Sequence, residues 1–174
     1  MKIGILSDTH DRPAGIAGSL EVFSKQNVAL ILHCGDWTKP DTAATFAKKA
    51  AEAALPVRGV LGNNDREIGA FLELNSSMDG LELREGVLRI DLDGKSAAVY
   101  HGHHKPTLMA LLAEEELDVL FLGHSHKPRY DRIDDRIILN PGSTAFAIPR
   151  SRTWRASVAV YDTDLHEAEF VYYQ

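Results

Sequence analysis

The chain has 174 residues, 44% hydrophobic and 25% charged, with a net charge of −6. That acidity argues against sequence-independent binding to a nucleic-acid backbone, and no apolar stretch approaches the roughly 20 residues that span a bilayer. Cys34 is the only cysteine, so no internal disulfide can form, and a cytoplasmic location is expected; the opening MKIGILSDTH lacks a small-residue cleavage site, so no signal peptide is expected.

At this length a single domain over 1–174 is expected. Residues 2–7 (KIGILS) predict a buried strand and 14–26 a helix with apolar residues at helical spacing. Val28–His33 predicts a second strand, and Asp41–Ala54 an alanine-rich helix with Asp41 as its N-cap. Val57–Leu61 predicts a third strand, and 66–80 a short helix and loop. From 81 the pattern changes to short strands at 81–85, 87–92 and 95–100, with Asp93-Gly94 as a hairpin turn. Residues 106–116 predict a helix whose acidic run, Glu114–Glu116, is a solvated surface. Strands follow at 118–122, 129–133 and 136–139, and a final hairpin at 156–162 and 166–173. Early alternation of strand and helix implies parallel pairing, and the later hairpins imply antiparallel pairing. The fold class is α/β or α+β, with two mixed sheets face to face and helices outside.

Five apolar strands end in polar residues of one chemical type. They are GILSDTH (Asp8, His10), ALILHCGD (His33, Asp36), VRGVLGNND (Asn63, Asn64, Asp65), AAVYHGHH (His101, His103, His104) and VLFLGHSH (His124, His126). Seven of the eight histidines sit there and only His166 lies elsewhere. Strand carboxyl ends are where open α/β sheets bind ligands, so the clusters can converge. His, Asp and Asn together offer nitrogen and oxygen donors to divalent metals, with no thiolate pattern. In Asp8-x-His10 and His124-x-His126 the partners share a face while the backbone stays extended. Each cluster alone reads equally as a turn or cap. His33 reads as a core histidine bonded to backbone, His104 and His166 as exposed, and Cys34 as a buried packing residue.

The ordered blocks Asp8-x-His10, Gly35-Asp36, Gly62-Asn63-x-Asp65, His101-x-His103 and Gly123-His124-x-His126 resemble the calcineurin-like metallophosphoesterase superfamily. His33-x-Gly35-Asp36, the Asn140-Pro141-Gly142-Ser143 loop and the β-rich tail are similar to its small YfcE-type phosphodiesterase branch. The resemblance implies a four-layer α-β-β-α sandwich and a dinuclear metal centre. One metal would take Asp8, His10 and His126, the other Asn63, His101 and His124, with Asp36 bridging. Mn²⁺ is the first choice, with Fe²⁺, Zn²⁺, Co²⁺ and Ni²⁺ as alternatives. The implied reaction is in-line attack of a metal-bridging hydroxide on a small phosphodiester, nucleotide-derived compounds among the candidates. Asp36, Asn63, Asp65 and His103 are the implied catalytic residues, with His103 near the mouth and Asp65 orienting the residue before it. That residue is Asn64 where the wider superfamily has histidine, and asparagine cannot act as a general acid. A phosphomonoesterase on the same metals, or a non-catalytic scaffold such as the retromer subunit of this superfamily, are the alternatives. Asn140–Ser143 reads as a plain turn or a site-lining loop, and Arg150, Arg152 and Arg155 as steering cations for phosphate. No stable nucleic-acid or membrane partner is expected, and the oligomeric state is left open, a homo-oligomer included.

Overall fold

The computed structural model describes residues 1–145 and 155–173. In chain order its elements are β1 (Lys2–Leu6), α1 (Pro13–Gln26), β2 (Leu30–His33), α2 (Pro40–Glu52), β3 (Val57–Val60), α3 (Ile68–Ser77) and β4 (Leu81–Arg84). There follow β5 (Leu88–Leu92), β6 (Lys95–Tyr100), α4 (Lys105–Leu112), β7 (Val119–Leu122), β8 (Pro128–Ile133), β9 (Arg136–Pro141), β10 (Ala156–Asp162) and β11 (Glu167–Tyr173). One sheet has the order β11-β10-β1-β2-β3-β4, the other β5-β6-β7-β9-β8. Parallel pairs join β1 to β2, β2 to β3 and β3 to β4, and likewise β6, β7 and β9; the hairpin strands pair antiparallel. Both sheets are therefore mixed.

The layers follow from side-chain alternation, since successive strand residues point to opposite faces. Ile3 and Ile5 of β1 join Leu32, Val99 and Phe121 in the core between the sheets. Leu6, on the other face, packs with Ile16, Phe23, Phe46 and Phe71 of α1, α2 and α3. Gly4 shares that face, and a Cβ there would lie 2.7 Å from the Phe23 ring, so the glycine permits α1 to sit close. Ala98 and Tyr100 of β6 pack outward against Leu111 of α4. The order is helices, sheet, sheet, helix, which is the expected four-layer sandwich.

Most element boundaries fall within a few residues of expectation, with instructive differences. Asp41 is not the N-cap of α2; Lys39 is, with Pro40 at the first helical position and Asp41 inside the first turn. Proline suits that position because its missing N–H would be unpaired anyway, and Asp41 complements the helix dipole. Helix α4 stops at Leu112 rather than 116, and the Arg136 guanidinium satisfies the carbonyls of Leu112 (2.7 Å) and, just beyond the helix, Glu114. Glu114 is not merely solvated, since both its oxygens bind Arg89 at 2.6 and 2.8 Å. The β5–β6 turn has left-handed φ at Asp93 (56°) and Gly94 (83°), the conformation that matches hairpin twist. His166 is buried rather than exposed: Tyr161 Oη lies 2.8 Å from its Nδ1 and the Asp135 carbonyl 2.6 Å from its Nε2.

Candidate metal centre

The parallel strands β1, β2, β3, β6 and β7 deliver all five polar clusters to one end of the sandwich. The loops there leave extended geometry at once. Asp8, His10, Asp11, Asp36, Thr38, His124 and His126 all have φ between 42° and 81°, a region non-glycine residues rarely adopt. The expected extended Asp-x-His and His-x-His geometry is thus replaced by left-handed turns, because the chain must reverse over the strand ends. Convergence survives, by tight turning rather than by pleating.

Asp8, His10, Asp36 and His126 each offer one ligand atom within 4.8 Å of the others. His10 Nε2 lies 3.2 Å from His126 Nε2 and 3.7 Å from an oxygen of each carboxylate. Asp8 is wholly buried, and its Oδ2 accepts the His124 N–H at 3.1 Å. Its Oδ1 approaches His126 Nε2 to 3.1 Å but lacks a hydrogen bond of acceptable direction. A buried carboxylate oxygen left open costs stability unless a charge meets it. Two imidazole nitrogens and two carboxylates converging there are a donor set for a divalent cation.

A second group adjoins the first. His101 Nε2 lies 3.1 Å from Asn63 Oδ1 and 3.3 Å from Asp36 Oδ1, while its Nδ1–H donates to the Cys34 carbonyl at 2.8 Å. That bond fixes the ring with Nε2 turned toward the two oxygens, the atom a ligating histidine presents to a metal. The His124 ring stands edge-on to His101 with centroids 5.2 Å apart. Asp36 lies between the groups, with Oδ1 toward His101 and Oδ2 toward His10.

Asp36 is held from several sides. Burial alone would raise its carboxyl, but the His101 hydrogen bond and charge, with two bonds from Asn64, hold it well below the ordinary carboxylate range. Asn64 donates its backbone N–H to Oδ1 at 2.9 Å and its amide to Oδ2 at 2.6 Å. Asp65 does not orient the side chain before it. Its buried carboxylate accepts the N–H groups of Asp36 (3.0 Å), Thr38 (2.6 Å) and Gly62 (2.7 Å), fixing the loop that carries Asp36. Burial pushes the Asp65 carboxyl up to about 6, with the Asp36 charge adding to the rise against those donors.

The histidines report the local field. His126 is raised, chiefly by its contact with Asp8, and His101 is raised by Asp36 and Asp8 despite the opposing effect of burial. His10 is lowered because burial outweighs the same two carboxylates. The cleft is anionic and favours cations.

A sequence model of the calcineurin-like phosphoesterase superfamily domain matches residues 1–165. The chain belongs to the calcineurin-like phosphoesterase superfamily. A phosphodiesterase of Methanocaldococcus jannaschii is 28% identical over 167 residues, covering 96% of each chain. The solved structure of an archaeal phosphodiesterase superposes with a TM-score of 0.84 at 26% identity, covering 99% of both chains. E. coli YfcE, a phosphoesterase (TM-score 0.64, 22% identity, 94% and 90% covered), shares the fold. So does Vps29 of Entamoeba histolytica, solved with Zn²⁺ (TM-score 0.66, 18% identity, 100% of both chains covered).

The remaining expected site residues of this phosphoesterase divide clearly. His103 is exposed at the mouth, its ring centroid 5.5 Å from that of His101 and 6.5 Å from that of His124; burial, then those two rings, lower it. His33 is a core histidine: wholly buried, stacked on Trp37 at 3.4 Å, its Nδ1 accepting the Gly35 N–H. His104 is exposed, as expected, and Cys34 is buried with its thiol pushed up by burial. Asn140–Ser143 is more than a turn. Asn140 donates to the Gly123 carbonyl, Ser143 Oγ donates to the Asp8 carbonyl at 2.9 Å, and the strand end thereby braces two site loops. Arg155 is exposed before β10, and Arg150 and Arg152 lie outside the described residues. Sequence reasoning missed the grip of Asn64 on Asp36, which lies 28 residues away; the one available signal was that Asn64 adjoins the candidate ligand Asn63.

Proposed function

We infer that this phosphoesterase is a phosphodiesterase working with two divalent ions, Mn²⁺ the first choice. The observation that carries the reading is the wholly buried Asp8 Oδ1, without a hydrogen bond and facing the two imidazole nitrogens of His10 and His126. Asp8, His10 and His126 would hold one ion, and Asn63, His101 and His124 the other. Asp36 would serve both, one oxygen toward each group. Two such ions supply a water of lowered pKa and positive charge for the phosphoryl oxygens. They also make an acidic protein attractive to a phosphate ester.

The protein's own groups do the positioning. Asp65 fixes the Asp36 loop through the N–H groups of Asp36 and Thr38, and Asn64 fixes the Asp36 carboxylate. The Cys34 carbonyl selects the His101 tautomer. His103, its pKa lowered by burial and the neighbouring His101 and His124 rings, lines the cavity beside the candidate ligands. Asn64 carries no transferable proton, so alcohols that leave readily are the better substrates. The substrate class is a small phosphodiester, nucleotide-derived ones included, and the place of work is the cytoplasm.

The decisive experiment strips metal, then measures bis-p-nitrophenyl phosphate turnover with and without Mn²⁺, beside Asp36→Asn and with bound metal counted by elemental analysis. About two ions per chain and Mn²⁺-dependent turnover absent from the variant are expected. Metal uptake without turnover on any mono- or diester would favour a scaffold, the role for which Asn64 in place of histidine is the supporting observation. Turnover of monoesters alone would favour a phosphomonoesterase.

A further inference from the structure

Beside the metal centre lies a cavity of about 550 Å³ whose walls include Asn63, Arg66, Glu85, Tyr100, His103 and His104. That volume is in the range that encloses a small-molecule ligand. It adjoins the candidate ligands directly, since Asn63 Oδ1 is 3.1 Å from His101 Nε2 and the His103 ring stands against His101. One wall is held in place: Tyr100 Oη accepts the His104 N–H at 3.1 Å, and His104 Nδ1 is bonded to Thr107 at 2.9 Å.

Its charges are informative. Arg66 lies three residues after Asn63 and forms no ion pair or hydrogen bond among the described residues. A guanidinium presents five donors in a planar fork suited to phosphate, and here none is engaged within the protein. Glu85 on the same cavity is also unpaired. A carboxylate excludes an anion from its own surroundings and accepts hydroxyl donors, so it would confine a second anion to the Arg66 side. The exposed His103 ring offers an aromatic face, on which a base can stack.

We propose that Arg66 binds a second anionic group on one arm of the substrate, so that the enzyme takes phosphodiesters whose nucleoside arm carries its own phosphate. This rests on the phosphodiesterase reading and extends it to substrate class. Such a diester is the chemistry of a short oligonucleotide or its fragments, and the single cavity admits only a small one.

The test uses two substrates with the same reacting bond: thymidine 5′-(p-nitrophenyl phosphate), with and without a 3′-phosphate, on the Mn²⁺-loaded protein. A KM about tenfold lower for the 3′-phosphorylated ester is expected, the size of one charge-assisted hydrogen bond. The ratio should fall to near one in Arg66→Gln. It should persist in Arg132→Gln, which removes the same charge from exposed strand β8. Equal KM values in the wild type, or a ratio that survives Arg66→Gln, would overturn the proposal. If the wild type turns over neither ester nor bis-p-nitrophenyl phosphate, the phosphodiesterase reading fails by itself. Calorimetry then decides the site: thymidine 3′,5′-bisphosphate binding more tightly than thymidine 5′-phosphate, with the difference lost in Arg66→Gln, sustains it. No difference between the two nucleotides overturns it.

Discussion

His166 offers the cleanest test of how the two sheets are joined. It sits in the β10–β11 turn of the first sheet, and its Nε2–H donates to the Asp135 carbonyl in the β8–β9 turn of the second. Its Nδ1 then accepts from Tyr161 Oη, and Tyr161 is wholly buried. Truncation in His166→Ala removes two hydrogen bonds, each worth about 0.5–1.5 kcal/mol net, and strands a buried hydroxyl at about 1–3 kcal/mol. Loss of a mostly buried ring adds to this, although water entering the site of a 9% exposed residue relieves part of the total. The expected destabilisation is about 2–4 kcal/mol, a large share of a typical 5–15 kcal/mol stability. Urea denaturation of chelator-treated protein measures it as a shifted midpoint at unchanged slope. In a Tyr161→Phe background no hydroxyl is stranded and one bond fewer is lost, so the same truncation should cost at least about 1.5 kcal/mol less, and the double-mutant cycle isolates that share. Additive effects, or a loss below about 0.5 kcal/mol in the single variant, would refute the bridge. Turnover should be unchanged, since the bridge lies in the turns away from the strand ends that carry the metal centre.

The other expectations concern the site. His33 is held well below its ordinary pKa by burial, so it is neutral in the folded protein and protonates more readily once unfolded. Stability is then complete above about pH 6.5 and falls as pH drops below it, by up to about 1.4 kcal/mol per unit for this one group; His33→Gln should flatten the acid limb of a stability-versus-pH curve by that one proton. Gly62→Ala would drive a Cβ into Asp36 Oδ1 and to 2.6 Å from its amide nitrogen, so metal binding by calorimetry should be lost while the fold persists by circular dichroism. Asp65→Asn keeps at most two of the three N–H bonds from Asp36, Thr38 and Gly62, and Mn²⁺ affinity should fall about tenfold or more. Asn64→His restores a proton donor and should speed esters with poor leaving groups more than p-nitrophenyl esters; equal acceleration would count against the missing-acid argument.

Much of the architecture is legible in the sequence because periodicity is physical. The alternation Ile3, Ile5 inward and Leu6 outward, the Asp93-Gly94 turn and the polar ends of five strands all follow from side-chain direction and backbone preference. The misreadings share one cause, namely partners distant in sequence. Nothing near residue 112 reveals that Arg136 takes the last carbonyl of α4. His166 reads as exposed because its two partners are a strand tyrosine and a carbonyl from another hairpin. At the site the residue types and their convergence were readable. The roles of Asp65 and Asn64 were not, because both act on Asp36 from a loop 29 and 28 residues away.

The left-handed residues tie these points together. Left-handed φ at a residue other than glycine costs roughly 1–2 kcal/mol, and seven such residues crowd the loops over β1, β2 and β7. Local preference alone would not select these turns. Several are bonded elsewhere: Asp8 N–H to the Gly35 carbonyl, His10 N–H to the Asp36 carbonyl, Thr38 N–H to Asp65, and the Asp8 carbonyl to Ser143. Extended loops would spare the strain, yet they would send Asp8, His10 and His126 away from Asp36. The turns instead force two carboxylates and the imidazoles of His10, His101 and His126 into one anionic cleft, at a further electrostatic cost. Strain and repulsion gathered in one place, and braced from three neighbouring loops, are intelligible where a cation is to be held. A turn whose only task was to connect two strands would be under no such demand.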